Sequence, residues 1–260
     1  MKSSSTCLLA VLSTAVFASE TAIAGFVSYS TYASTVVSVD IDALSVAGVY
    51  YGGTFDWNRQ QGSSASGDAF AGGGPSTGSG VGVATATTSI FGAASAQSPE
   101  DADAFASSYA IGSRAVTLYN ANTFPVLVSF TFTAQGNSRA TSQSSEPSYS
   151  EAYSVASVWH AYGDVRSNLL SYYSHAISSG QFGQAGPFPF GISNVAYVYL
   201  APRYNFIIAD AYSSGNANVA APPVPEPTSM ALAGFAGLAG LGGAIRRARR
   251  NKAVASTQAG

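Results

Sequence analysis

The chain has 260 residues, 47% of them apolar and only 9% charged, so it is long enough for one domain with a buried core and short segments at both ends. Between Gly25 and Pro223 it has five arginines, no lysine and eleven carboxylates. The resulting net charge of −6 argues against general nucleic-acid binding. The one cysteine, Cys7, lies near the N-terminus, so we expect no disulfide in the rest of the chain.

The first 24 residues have the three parts of a secretory signal peptide. A positively charged start is followed by an apolar stretch over residues 7–18 and by the small-x-small sequence Ala22-Ile23-Ala24. We predict that signal peptidase recognises Ala22 and Ala24 and leaves Gly25 as the first mature residue. Residues 16–18 form a weaker alternative cleavage site. The chain is therefore expected to be exported.

Most of residues 25–221, called the body below, is predicted to form β-strands. Valine, tyrosine and phenylalanine recur at nearly every second position, which is typical of strands. The segments with this pattern are residues 26–57, 81–95, 115–119, 126–133, 153–159, 195–200 and 204–209. In residues 126–133 the apolar side chains share one face and the hydroxyl side chains the other, as expected for a sheet with one solvated face.

Four stretches between these segments are predicted not to be strands. Residues 62–80 are rich in glycine and serine, which favours a flexible loop, and the polar residues 138–150 indicate a second loop. Residues 99–109 begin with acidic residues and fit a short helix or a turn, and residues 165–176 are a candidate short helix. Short strands joined by Gly, Asn and Pro turns predict an all-β body, an antiparallel β-sandwich of jelly-roll type.

The body has few residues with the types and spacing of a catalytic or metal site. His160 and His175 are accompanied by no cysteine, so we expect ordinary histidines and no zinc site. Weak calcium candidates are the carboxylates Asp40 and Asp42, on one face of a predicted strand, and Asp101 and Asp103. We expect these carboxylates to form a solvated acidic face instead. No hydrolase or phosphate-loop motif occurs, so no catalytic residue and no cofactor are expected.

Aromatic side chains are the remaining candidates for ligand contact. An exposed ring can stack on the apolar face of a sugar, while nearby polar groups meet the sugar hydroxyls. The candidate residues are Tyr50, Tyr51 and Trp57, or Trp159 and Tyr162. Burial in the core is the competing explanation for these rings.

The C-terminal part of the chain combines three features in a fixed order. Residues 222–227 read Pro-Pro-Val-Pro-Glu-Pro, and proline keeps such a segment extended and accessible to an enzyme. The apolar residues 230–245 predict a single helix of about 24 Å, shorter than a hydrocarbon core of about 30 Å. The helix can span the core if Thr228 and Ser229 are included and the flanking arginines snorkel. The arginine cluster at 246–250 predicts a cytoplasmic stop, and residues 251–260 form a tail.

The order of these features resembles the PEP-CTERM sorting domain, over residues 222–250 only. The residues carried over are Val224, Pro225, Glu226 and Pro227 for recognition, and Arg246, Arg247, Arg249 and Arg250 for the membrane stop. The resemblance implies processing by an exosortase, a membrane-embedded, transpeptidase-like cysteine protease of Gram-negative bacteria. The same motif also circulates under an ice-binding-protein C-terminal label, which describes the tail and not the body.

We therefore predict an exported, exosortase-sorted protein of the envelope, surface or extracellular matrix, with a noncatalytic structural or adhesive body. The expected partners are signal peptidase, exosortase, the cytoplasmic membrane during transit and the exopolysaccharide of a biofilm. The alternative is a secreted carbohydrate-binding or polymer-degrading protein. An ice-binding body would need long Thr-x-Thr ranks, and residues 85–88 provide only a short one.

Overall fold

A computed structural model describes residues 25–96, 103–143, 148–180 and 183–220 of the chain. Within these residues the backbone forms eleven β-strands and one short helix. The predicted signal peptide, the Pro-Glu-Pro segment, the apolar helix over residues 230–245 and the arginine cluster lie outside the described residues. In the described ranges no helix is long and apolar enough to cross a membrane.

The strands form two antiparallel sheets, which are named here after their central strands. The β1 sheet has the order β10-β6-β1-β4-β3 with β9 beside β6, and contains β1 (Gly25–Val39), β3 (Asp68–Gly80), β4 (Val83–Ala96), β6 (Val126–Gln143), β9 (Gln184–Ala185) and β10 (Phe190–Leu200). The β11 sheet has the order β2-β5-β11-β7-β8, and contains β2 (Val49–Ser66), β5 (Ala104–Asn120), β7 (Ser148–Tyr162), β8 (Val165–Ser179) and β11 (Arg203–Val219). The helix α1 (Ile41–Val46) follows β1.

The two sheets confirm the predicted all-β fold and the antiparallel β-sandwich. In β6, Phe130 and Phe132 are buried between the sheets while Thr131 and Thr133 point outward, as the alternation predicted. A jelly roll has eight strands, whereas the described residues form eleven. The structure therefore confirms the two-sheet sandwich, and the jelly-roll type is not confirmed.

The core between the sheets has a thick half and a thin half. The thick half, near α1, contains large apolar side chains such as Leu118, Phe130 and Ile207, and Leu44 of α1 packs into it. The thin half consists mostly of alanine, with Tyr29 as its largest side chain. Because alanine and serine let the sheets approach closely, hydroxyl groups bond across the interface. The pairs are Tyr29 with Ser108 at 2.7 Å, Thr88 with Ser213 at 2.7 Å and Ser138 with Ser154 at 3.1 Å.

The prediction of a flexible loop over residues 62–80 is wrong. This stretch forms the end of β2 and all of β3, joined by a turn at Gly67, whose φ of 65° suits glycine. The glycines make room for rings of neighbouring strands: Phe91 lies over Gly72, and a Cβ at Gly62 would overlap the Tyr109 ring. Ladder bonds to β4 and β5 therefore order a segment that buries little of its own.

Two other predictions of non-strand structure are also wrong. Residues 165–176 form most of β8, because they pair with β7 along its whole length. Of residues 138–150, residues 138–143 form the end of β6 and residues 148–150 the start of β7, while residues 144–147 lie outside the described part. Ser138, Ser142 and Ser150 are buried and hydrogen-bonded. Of residues 99–109, those from Ala104 onward lie in β5 and Asp103 precedes it, while residues 99–102 lie outside the described part.

Candidate functional site

The predicted processing residues lie at or beyond the ends of the described body. Ala22, Ala24 and the sorting motif lie outside the described residues. Gly25, the predicted first mature residue, is the first residue of β1, and β11 ends at Val219, shortly before the proline-rich segment. The predicted processing sites therefore flank the sandwich without interrupting its strands.

The calcium candidates do not converge in the described residues. Asp40 is not on a strand: it caps α1, and its carboxylate accepts hydrogen bonds of 3.1 Å from the backbone amides of Asp42 and Ala43. Asp42 lies in the first turn of α1, so the strand assumed for this pair is wrong. Asp103 precedes β5, and Asp101 lies outside the described residues. Among the described residues no group of three or more His, Cys, Asp or Glu side chains could hold a metal.

The two histidines take part in separate polar contacts. The Nε2 of His160 lies 3.0 Å from Oδ1 of the buried Asn205. The Nε2 of His175 lies 2.7 Å from Oε1 of Glu151, which also accepts hydrogen bonds from the Tyr149 hydroxyl and the Asn216 amide. Burial opposes ionisation of Glu151, but these hydrogen bonds outweigh it, so the pKa of Glu151 lies below its ordinary value of 4.5.

We expect the Glu151 contacts to make stability depend on pH in the acidic range. Because the pKa is lowered in the folded state, the stabilisation is complete above about pH 4.5 and is lost as the pH falls through the lowered pKa. Glu151→Gln should lower the free energy of unfolding at pH 7 by less than about 1 kcal/mol, since the pair is partly solvated. Urea denaturation should show a smaller stability loss from pH 5 to pH 3 for this variant. An unchanged loss would contradict the assignment.

The rings of Trp57 and Trp159 are largely occupied by neighbouring side chains on the outer surface of the β11 sheet. They pack around the buried Ile208 together with Phe206, and the Trp57 and Phe206 ring centroids are 5.6 Å apart. The Arg166 guanidinium lies 4.4 Å from the Trp159 ring centroid. This cluster is a small second core, in which both tryptophan rings are partly buried. The other candidates lie apart from it: Tyr50 and Tyr162 are exposed, and the Tyr51 hydroxyl donates to the carbonyl of Gly80.

The same surface carries a short polar chain beside the tryptophans. The Trp159 indole donates to the Ser157 hydroxyl at 2.9 Å, and the hydroxyls of Ser157 and Ser113 donate to the Asp210 carboxylate. In the pairing of β11 with β7, Asp210 lies opposite Ser157 and Asn216 lies opposite Glu151. Because Asn216 is six residues beyond Asp210 on β11, the carboxylates of Asp210 and Glu151 are about 20 Å apart, at about 3.4 Å per residue.

The outer surface of the β1 sheet contains a shallow depression in two parts, which we call the β1 groove. One part, of about 190 Å³, is lined by residues that include Ser30, Tyr32, Ser89, Phe91 and Asn137. The other, of about 310 Å³, is lined by residues that include Ser28, Ser30, Arg139 and Thr141. Ser30 borders both parts, and in the strand register Phe91 and Arg139 lie on either side of it. The floor is small and polar, with a ring on one side and a cation on the other.

The charge on this surface is concentrated at Arg139. Among the described outward positions of the β1 sheet, only Arg139 and Asp68 are charged. Their register positions are three strands and four residues apart, roughly 20 Å. Within the described residues Arg139 forms no ion pair and no side-chain hydrogen bond, unlike Arg114, which pairs with Asp56. Arg139 is therefore available to a ligand.

The sequence interpretation missed the groove, although one signal was present. In β4 the outward positions carry Ser89 and Ser95, so polar residues are expected at the same parity. Phe91 breaks this pattern and is half exposed. An aromatic residue at a solvated strand position was the feature that could have identified this surface.

A comparison with known protein families bears on the C-terminal part of the chain. Residues 223–250 match the PEP-CTERM protein-sorting motif, which confirms the resemblance seen in the sequence. The motif implies an exported protein that an exosortase recognises and sorts to the cell surface or envelope. A comparison with curated proteins found no match.

Proposed function

We propose that the protein is a noncatalytic component of the cell envelope or extracellular matrix, with a body that contacts exopolysaccharide after sorting. The observation that carries this proposal is the sorting motif at residues 223–250. In this scheme Val224, Pro225, Glu226 and Pro227 are the residues that exosortase reads. The arginines at 246–250 hold the apolar helix in the cytoplasmic membrane until the tail is removed.

The noncatalytic part of the proposal is supported by the separation of carboxylates on the β11 sheet. Glycoside hydrolysis commonly uses two carboxyl groups about 5–9.5 Å apart. Asp210 and Glu151 are about 20 Å apart along the strands and are engaged by separate serine, tyrosine and histidine partners. A secreted polymer-degrading enzyme is the second candidate, and the only observation that supports it is the export implied by the sorting motif.

The test compares a host that has exosortase with one that lacks it. In the first host, intact mass should show loss of both end segments, and the protein should be found at the surface or in the matrix. In the second host, the C-terminal segment should remain attached and the protein should stay with the membrane. A tail that remains in both hosts would mean simple membrane anchoring and would overturn the proposal.

A pair of variants makes the test specific to the motif. Glu226→Ala changes the residue at the centre of Pro-Glu-Pro, whereas Pro222→Ala changes a proline just outside the matched residues. We expect the first variant to retain its tail in the exosortase-competent host and the second to be processed like the wild type. New reducing ends in matrix polysaccharide incubated with the protein would instead favour the polymer-degrading alternative.

A further inference from the structure

We propose that the β1 groove binds an acidic polysaccharide of the uronate type. This inference deepens the proposed function and rests on it, because it names the class of exopolysaccharide and the surface that meets it. In the bound state the Arg139 guanidinium pairs with a sugar carboxylate, and the Phe91 ring stacks on the apolar face of a neighbouring sugar.

The shape and lining of the groove favour a sugar chain over a small apolar ligand. Pockets for small molecules enclose most of the ligand and are mainly apolar, whereas both parts of the β1 groove are shallow and open to solvent. Hydroxyl and amide groups of Ser89, Asn137 and Thr141 border it. Such groups exchange hydrogen bonds with sugar hydroxyls, while an open groove lets a polymer continue past both ends.

The Phe91 ring is held in place but keeps a free face. It lies over Gly72 of the edge strand β3, and its centroid is 6.2 Å from that of Phe70. Half of the Phe91 side chain remains exposed. A ring that is fixed from below and from the side loses little freedom when a sugar stacks on it, in contrast to Trp57 and Trp159, which pack within their own cluster.

The acidic character of the ligand follows from Arg139. Phe91, Ser30 and Arg139 lie in one row across three adjacent strands, so the Cα atoms of Phe91 and Arg139 are about two strand spacings, or about 10 Å, apart. Arg139 has no carboxylate partner within the described residues. A planar guanidinium forms paired hydrogen bonds with a carboxylate, and a uronate carries this group on the sugar ring itself.

The distribution of charge favours this surface over the other sheet. The body is acidic as a whole, and the β11 sheet presents Glu151 and Asp210 on its outer surface. The exposed Arg166 lies on the same sheet but is stacked on the Trp159 ring. Both carboxylates would repel a polyanion. On the β1 sheet the described carboxylate is Asp68, roughly 20 Å from Arg139. A polyanion should therefore meet the protein through the β1 groove.

The test measures binding of the full chain, in a mild detergent, to polygalacturonate and to its methyl ester. The ester has the same sugar ring without the negative charge. We expect the free acid to bind and the ester to bind about tenfold more weakly, because the charge-assisted hydrogen bond is lost. Equal binding of the two polymers would overturn the assignment to acidic sugars, and so would the absence of any binding to polygalacturonate.

Two variants with matched controls on the opposite sheet locate the site. Arg139→Gln should weaken binding about tenfold, whereas Arg166→Gln removes the same charge from the β11 sheet and should leave it unchanged. Phe91→Ala should weaken binding about fivefold through loss of stacking, whereas Tyr173→Ala, which removes another exposed ring, should not. If a variant and its control weakened binding equally, the assignment of the binding site to the β1 groove would be wrong. Thermal unfolding of each variant checks that folding is intact.

A third variant tests the groove without removing either contact group. Ser30→Tyr places a large side chain on the floor shared by both parts of the groove, and it should block binding while leaving the tail processing intact. Wild-type protein that is sorted to the matrix but binds no polyuronate would overturn this inference and leave the proposed function standing. Failure of tail processing would overturn the proposed function whatever the binding result.

Discussion

Tyr29→Ala is expected to lower the free energy of unfolding by about 3–5 kcal/mol, as for other large aromatic side chains in a core. Tyr29 is only 3% exposed and is the largest side chain in the thin half of the sandwich. Its hydroxyl bonds Ser108 of the opposite sheet at 2.7 Å. Alanine would leave a cavity among residues that are already small, and the two sheets could close it only by shifting rigidly.

The two glycines that contact the Tyr29 ring allow a second, independent test of its packing. The ring lies between Gly92 on the neighbouring strand β4 and Gly215 on the opposite sheet, and a Cβ at either glycine would overlap it. Gly215→Ala should therefore cost about 1–3 kcal/mol in the wild type through overpacking. In the Tyr29→Ala background the same change should be nearly neutral, since the added methyl group then enters the cavity. This double-mutant cycle isolates the contact.

Urea denaturation followed by fluorescence of Trp57 and Trp159 measures these changes. Tyr32→Ala is the matched control, because Tyr32 lies on the same strand but faces outward, and it should cost less than about 1 kcal/mol. Tyr29→Phe should cost about 1 kcal/mol, the value of the hydrogen bond to Ser108. If the effects of Tyr29→Ala and Gly215→Ala on the free energy of unfolding were additive, the packing of the Tyr29 ring against Gly215 would be wrong.

Burial of the Tyr29 hydroxyl also predicts an effect of alkaline pH. Burial raises the pKa of Tyr29 above its ordinary value of 10.0, although the hydrogen bond to Ser108 acts against it. The stabilisation that comes from the protonated Tyr29 hydroxyl is therefore complete below about pH 10. It is lost as the pH rises through the raised pKa, because the Tyr29 side chain of the unfolded protein releases its proton first. Tyr29→Phe should lose less stability in this range than the wild type.

The sequence predicted the sandwich because most strands alternate between apolar and hydroxyl residues. It failed where the pairing partners, and not the segment itself, decide the structure. Residues 62–80 contain few side chains that favour a strand, yet the rings of Tyr109 and Phe91 cover their glycines. Residues 165–176 have no clear alternation, and their pairing with β7 decides their structure. Both partners are distant in sequence, so no local pattern could report them.

The candidate functional residues also fall into a group that the sequence predicted and a group that it did not. The sorting motif is a linear segment, so its residues could be read directly, and the family match confirms it. The β1 groove depends on register: Phe91, Ser30 and Arg139 become neighbours only when β4, β1 and β6 pair. The tryptophans were plausible sugar contacts by residue type, but their packing around Ile208 appears only in the folded chain.

Phe130→Ala is the second large effect that we expect, at about 3–5 kcal/mol of unfolding free energy. Phe130 is 2% exposed in the thick half of the core, and its neighbours across the ladder are Val39 of β1 and Ala196 of β10. The thick half depends on large side chains to fill the space between the sheets near α1. Loss of one ring removes apolar burial and leaves a cavity that short neighbours cannot fill.

Leu127→Ala is the control for this prediction, because it shortens an apolar side chain on the same strand. Leu127 faces outward and is 50% exposed, so its loss should cost about 0.5 kcal/mol. The difference between the two variants then measures the burial of one face of β6, with strand propensity and pairing held nearly constant. If the two variants lost equal stability in urea, the inward orientation of Phe130, and with it the register that places Arg139 outward on the same strand, would be wrong.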